Sequence, residues 1–213
     1  MKVKLAAQKA HEGSKVKPHA INKKIHFIGG WYIDKNVCTN LIKYFENSPN
    51  KTPGGIYKKT REVGINKKAK LSTDVIISLR NQDKEILNYY EELAKVAEEY
   101  KKKYKYCSIQ QDKWGMMENW NLQKYKPKEG YFKKHFEKTG GPTVNRHLTF
   151  MTYLNDVRDS GETEFYYQKL KIKPETGLTL IWGTDWTFTH RGIPSKTETK
   201  YIATGWYSYG VKR

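Results

Sequence analysis

The 213-residue sequence predicts an α+β fold in which helices in the first half brace a C-terminal antiparallel β-sandwich or jelly roll. Three observations lead there. Two stretches before residue 104 place apolar residues at helical spacing, whereas from Trp120 onward short β-type segments alternate with turn residues. With 14% aromatic and 37% apolar residues, the bulk of the chain has enough to bury around one core.

Residues 1–24 hold seven lysines against the single acid Glu12 and lack a sustained apolar period, which predicts a basic, mobile tail. Residues 25–213 then form one domain, with helical support over 25–115 and the β core over 116–213. A short strand, Ile25 to Ile28, is followed by a break at Gly29-Gly30. Asp34 can cap a helix carrying Val37, Leu41, Ile42, Tyr44 and Phe45, ended by Pro49 and Pro53-Gly54-Gly55. Residues 56–70 read as a charged loop and 74–79 as a buried strand. Asp83 opens a helix over 84–103 with Ile86, Leu87, Tyr90, Leu93, Val96 and Ala97 on one stripe; Lys101, Lys102 and Lys103 suit the negative end of its dipole. The predicted β-segments are 120–126, 131–137, 146–155, 163–168, 178–182, 186–190 and 200–209.

No run of 18 apolar residues occurs, and lysines interrupt the N-terminal apolar residues, so neither a membrane span nor a secretory leader is expected; the expected compartment is the cytoplasm. Cys38 and Cys107 have no partner at metal spacing, which argues against a zinc site or disulfide framework. The formal charge of +18 favours acidic partners, yet residues 151–213 are near balance, nine basic against seven acidic.

The chemistry concentrates in the β half. His135 and Glu137 stand two apart, and side chains at i and i+2 of a strand share a face, so both can converge on one ion. With a second imidazole, His190, two histidines and a carboxylate could cover one face of Fe(II), leaving positions for a co-substrate and O2. Zinc hydrolases use similar ligands, and a strand histidine is commonly structural, so spacing alone leaves these uses open.

Residues 122–209 resemble the iron(II) and 2-oxoglutarate-dependent dioxygenases of the prolyl 4-hydroxylase-like family. The resemblance rests on Tyr125 upstream of Gly130-Tyr131-Phe132-Lys133-Lys134-His135-Phe136-Glu137, on Arg146-His147-Leu148-Thr149-Phe150-Met151-Thr152-Tyr153-Leu154-Asn155, on Gly161-Glu162-Thr163-Glu164-Phe165, and on Thr189-His190-Arg191-Gly192 followed by Lys200 to Tyr207. It implies a double-stranded β-helix, the jelly-roll form, with iron on His135, Glu137 and His190. Glu137 departs from the commoner aspartate and brings one extra methylene. Lys200, ten positions after His190, would pair with the distal carboxylate of 2-oxoglutarate, with the Tyr125 and Tyr153 hydroxyls on the same co-substrate. Trp206 is expected as pocket wall.

The implied activity is hydroxylation of a peptide or protein substrate, with release of succinate and CO2 and with ascorbate as reductant. Two other readings compete: an oxygenase acting on nucleic acid, set second because only Arg191 follows the distal histidine where that branch carries paired arginines, and a non-catalytic β-sandwich binding module.

Overall fold

The computed structural model describes residues 16–57, 62–110 and 112–211. Strands β1 (Lys17–Pro18) and β2 (Ile28–Tyr32) precede helix α1 (Lys35–Asn47), β3 (Thr52–Pro53), and the paired strands β4 (Ile56–Tyr57) and β5 (Val63–Gly64). Strand β6 (Thr73–Ile77) and helix α2 (Lys84–Lys103) follow. The remainder is β7 (Lys113–Gly115), β8 (Trp120–Tyr125), β9 (Tyr131–His135), β10 (Arg146–Tyr153), β11 (Thr163–Phe165), β12 (Leu170–Ile172), β13 (Leu178–Gly183), β14 (His190–Gly192) and β15 (Lys200–Val211). The major sheet runs β1-β2-β13-β10-β15-β8-β6-β3, with β7 added on β15, and the minor sheet runs β12-β11-β14-β9. All pairings are antiparallel. This is the predicted jelly roll.

Period-two alternation along the central strands assigns each residue to one of two layers. Leu148 and Phe150 of β10, Trp120 and Leu122 of β8, and Ala203 and Tyr207 of β15 join one core with Leu41 and Phe45 of α1 and Ile86, Tyr89, Leu93 and Val96 of α2. The intervening Met151, Tyr153, Tyr125 and Ile202 point the other way, into the space between the sheets, with Phe165, Leu180 and Trp182. Both helices thus brace the back of the major sheet and leave its inner face for the site. Tyr89, fully buried, ties α2 to the sheet through its hydroxyl, 2.9 Å from Thr152 Oγ1.

The helices match expectation at their starts. Asp34 caps α1 by accepting from the Asn36 N–H at 2.7 Å. Asp83 precedes α2 without a side-chain cap bond; its carboxylate accepts instead from the Tyr44 hydroxyl and the Asn81 amide.

Four expectations are corrected. Within the basic segment 1–24, residues 16–24 are not a free tail: Lys17 and Pro18 pair with Tyr32 and Trp31, and Val16 is buried, while the expected tail over 1–15 lies outside the described residues. Gly29-Gly30 does not break β2 but lies inside it. A Cβ at Gly30 would come within 3.1 Å of Leu180 and 3.2 Å of His19, so the glycine is there for close packing of neighbouring strands. The segment 56–70 contains the β4–β5 pair instead of only loop. In the segment 186–190, residues Trp186–Phe188 form a 3-10 turn and the strand begins only at His190. Among the described residues, no helix is long and apolar enough to cross a membrane. Both cysteines are free.

Candidate active site between the sheets

A cavity of about 520 Å3 lies between the sheets. The major sheet lines it with Gln123 and Tyr125 of β8, Met151 and Tyr153 of β10, Trp182 of β13, and Lys200, Ile202, Thr204 and Trp206 of β15. The minor sheet contributes Tyr131 and His135 of β9, Thr163 of β11, and His190 of β14.

His135, Glu137 and His190 come together here, with candidate ligand atoms all within 4.8 Å of one another. His190 pairs with His135 across the β14–β9 ladder, which brings a residue 55 positions away in sequence beside the first histidine. Glu137 lies just past the end of β9, where its N–H donates to Thr184 O at 3.1 Å. Its Oε1 stands 3.5 Å from His135 Nε2 and 3.4 Å from His190 Nε2. Each Nδ1 faces a backbone carbonyl, Lys133 O at 3.0 Å for His135 and Phe188 O at 2.9 Å for His190. A carbonyl can only accept, so the proton of each neutral ring sits on Nδ1 and the Nε2 lone pair turns inward. Ligands at about 2.1 Å on adjacent coordination positions stand about 3 Å apart, close to the spacing of Glu137 Oε1 from each Nε2.

The protonation states suit a cation. Burial would push the Glu137 carboxyl up, but where the two imidazoles are protonated their Nε2–H bonds and charge outweigh it and hold the group well below the usual carboxylate range. Burial and the neighbouring His190 pull the His135 imidazole below its ordinary value. A carboxylate beside neutral imidazole is the form that binds metal.

The β9 strand is irregular here. His135 faces His190 and Tyr131 faces Gly192, so two steps along β14 span four along β9 and the backbone bulges. The Tyr131 ring consequently stacks on His135, with centroids 3.6 Å apart and planes 11° from parallel. Nothing in the sequence pattern signals that stack.

Lys200 is buried, only 3% exposed, and its ammonium donates to Gly161 O at 2.8 Å and Ile193 O at 3.3 Å. Among the described residues no carboxylate lies within ion-pair distance of it. Burial pulls the amine down to about 8. A buried cation held by two neutral carbonyls is suited to receive an anion. Tyr125 lies beside it, with its ring centroid 5.2 Å from Nζ and its hydroxyl donating to Gln123 Oε1 at 2.7 Å. Tyr153 also lines the cavity, but its hydroxyl is engaged with Thr163 Oγ1 at 2.6 Å and Ile172 O at 3.1 Å.

Trp206 does more than form wall: its indole N–H donates to Glu137 Oε2 at 2.9 Å. Arg146 and Glu118, given no role from sequence, complete that corner through two Arg146–Glu118 hydrogen bonds of 3.0 and 2.6 Å. Arg191, the residue after the distal histidine, is turned to Glu164 at 2.5 Å and does not line the cavity.

Residues 120–208 match the family model described as the 2OG-Fe(II) oxygenase superfamily. Over these residues the β half is similar to the 2OG-Fe(II) oxygenases. No curated protein matches the sequence. The fold of the chain is similar to that of the viral collagen prolyl hydroxylase of Paramecium Bursaria Chlorella virus-1, solved as a 2OG complex, with a TM-score of 0.62 at 20% identity over 86% of this chain and 97% of that one. It is similar to a Pseudomonas putida prolyl-4-hydroxylase, with a TM-score of 0.65 at 15% identity over 87% and 94% of the two chains. A third likeness is to a Trichoplax adhaerens prolyl hydroxylase in complex with a hypoxia inducible factor peptide fragment, TM-score 0.66, 15% identity, covering 87% and 84%. The matched family is one of Fe(II) and 2-oxoglutarate, and the His-Glu-His donor set with its inward Nε2 atoms fits the metal.

Proposed function

We propose that the oxygenase hydroxylates a prolyl-type side chain in a peptide or protein, with His135, Glu137 and His190 holding Fe(II) and Lys200 receiving the distal carboxylate of 2-oxoglutarate. The observation that carries this reading is the placement of the trio and the buried Lys200 ammonium in one cavity. The likeness of the fold to three prolyl hydroxylases, one solved with a peptide, supports the substrate class. Exposed Val63, Ile65 and Ile76 at the rim of the cavity offer apolar surface against which an extended peptide can lie.

When bound, Fe(II) supplies the oxidation: with 2-oxoglutarate and O2 it yields succinate and CO2 and puts one oxygen atom into a substrate C–H bond. The chain's own residues do the rest. The two imidazoles and Glu137 Oε1 would hold the metal, a three-donor set that leaves room for co-substrates. Lys200 offsets the cost of taking a carboxylate out of water, and Tyr125 and Tyr153 wall the co-substrate space. Ile202, Met151 and Trp182 exclude water from it. Ascorbate is the expected reductant.

The test is succinate formation from 2-oxoglutarate by the Fe(II)-loaded protein, with mass spectrometry of proline-containing peptides. A gain of one oxygen on a prolyl residue, dependent on His190, is the expected result; a folded, iron-binding protein that oxidises no peptide overturns the substrate assignment.

A further inference from the structure

We infer that Trp206 and Arg146 clamp the second oxygen of Glu137, so that this site is built for a glutamate ligand and is impaired, not improved, by the shorter aspartate. The inference rests on the trio being the metal site, as proposed above, and deepens it by assigning two positioning residues.

The Glu137 carboxylate is divided between two tasks. Oε1 faces both histidine Nε2 atoms, whereas Oε2 accepts from Trp206 Nε1 at 2.9 Å and stands 3.6 Å from Arg146 Nη1. Both groups around Oε2 are themselves fixed. The Arg146 guanidinium carbon lies 3.5 Å from the centre of the Trp206 ring, so the arginine packs on the indole that shares its target. Its Nε and Nη2 hold the Glu118 carboxylate, and its Nη1 also donates to the Glu137 carbonyl at 3.1 Å. The Arg146 side chain is 4% exposed. The arrangement has little slack: the Glu137 backbone is tied to Thr184 and to Arg146, and Trp206 and Arg146 are strand residues of β15 and β10.

Removing one methylene withdraws the carboxylate by roughly the length of a C–C bond, about 1.5 Å. A 2.9 Å hydrogen bond cannot survive that retreat. An aspartate therefore loses the clamp, and with it the restraint that aims its carboxylate at an ion held by the histidines. The clamp also keeps Oε2 turned away from the histidine Nε2 atoms, so that Oε1 alone would face a metal held there.

Mn(II) binding, read from the electron paramagnetic resonance of the free ion, tests this without turnover. Trp206→Phe keeps a ring under Arg146 and removes only the N–H; it should weaken Mn(II) binding about tenfold, the lower end of what a residue orienting a ligand contributes. Glu137→Asp should weaken it at least as much. Trp206→Phe added to Glu137→Asp should then cost less than a further twofold, because the contact is already gone. Glu137→Asp binding Mn(II) as tightly as the wild type, or two losses that multiply in full, would overturn the clamp. His190→Ala separates the underlying reading: undiminished Mn(II) binding there means the trio is not the metal site at all. A second measurement needs no ligand variant. The indole N–H resonance of Trp206, assigned by its loss in Trp206→Phe, should shift when diamagnetic Zn(II) is added to wild type; an unmoved resonance at saturation sinks the proposal.

Discussion

His135 and His190 stand directly opposite each other in the β9–β14 ladder, and their rings lie 4.4 Å apart, centroid to centroid. A register contact of this kind sets ligand geometry through the backbone: the two Cα atoms cannot part without shearing a sheet. Their Nδ1 bonds to backbone carbonyls add a second restraint, on ring orientation.

Removing either imidazole should therefore abolish metal binding and leave the fold intact. His135→Ala and His190→Ala are expected to lower Fe(II) affinity by more than about 100-fold, beyond the loss typical of a merely supporting residue. His147→Ala is the comparison, because His147 lies on β10 with its Nε2 on Cys107 O and does not line the cavity. Anaerobic Fe(II) titration with a competing chromogenic chelator measures both.

The co-substrate should bind less well as the solution becomes alkaline. Only the protonated Lys200 attracts a carboxylate, and burial has brought the free amine down to about 8. Affinity for 2-oxoglutarate should be level below pH 7 and fall as pH rises through 8, approaching tenfold per pH unit, since binding must then first recover a proton. Lys200→Met should cost at least 2 kcal/mol, roughly thirtyfold, and remove the pH dependence. Calorimetry of 2-oxoglutarate binding to the Mn(II)-loaded protein from pH 6.5 to 9 reads both effects.

Gly205 should resist substitution although its neighbours on β15 carry large side chains. A Cβ there would come within 2.6 Å of the Phe150 ring and of Trp120 Cβ, both fully buried between sheet and helices. Gly205→Ala is expected to destabilise by about 1–3 kcal/mol through overpacking. Urea unfolding should show it as a lower midpoint with an unchanged slope.

What the sequence shows and what it hides divide along contact range. The alternation of Leu148, Phe150 with Met151, Tyr153 is a local pattern, and it locates β10 and both of its faces; the helical stripe Ile86, Leu93, Val96 does the same for α2. His135 and Glu137 are found by local spacing, but His190 needs the resemblance, since a pairing across β14 and β9 leaves no periodic trace. The Trp206–Glu137 contact joins residues 69 apart and the Arg146–Glu118 pair residues 28 apart, so no window on the sequence holds either. Strand β12, with Lys171 between Leu170 and Ile172, is too short to register as a period of its own.

One wall of the cavity is held by a buried ion pair whose response to mutation should be strongly non-additive. Lys70 Nζ lies 2.7 Å from Asp74 Oδ2, with side chains only 4% and 7% exposed. Ser72 Oγ and Gln123 Nε2 also donate to that carboxylate, at 2.7 and 3.1 Å, and the Tyr125 hydroxyl donates onward to Gln123. Breaking such a pair from one side strands a charge: Asp74→Asn should destabilise by about 3–5 kcal/mol, because the Lys70 ammonium keeps its burial and loses its counter-charge. Removing the charge at the other end restores the balance, so Lys70→Met combined with Asp74→Asn should recover most of that loss. Chemical denaturation of the single and double variants supplies the cycle. If the two losses simply add, the pair is not desolvated enough to matter, and the polar wall beside Tyr125 owes its order to Ser72 and Gln123 instead.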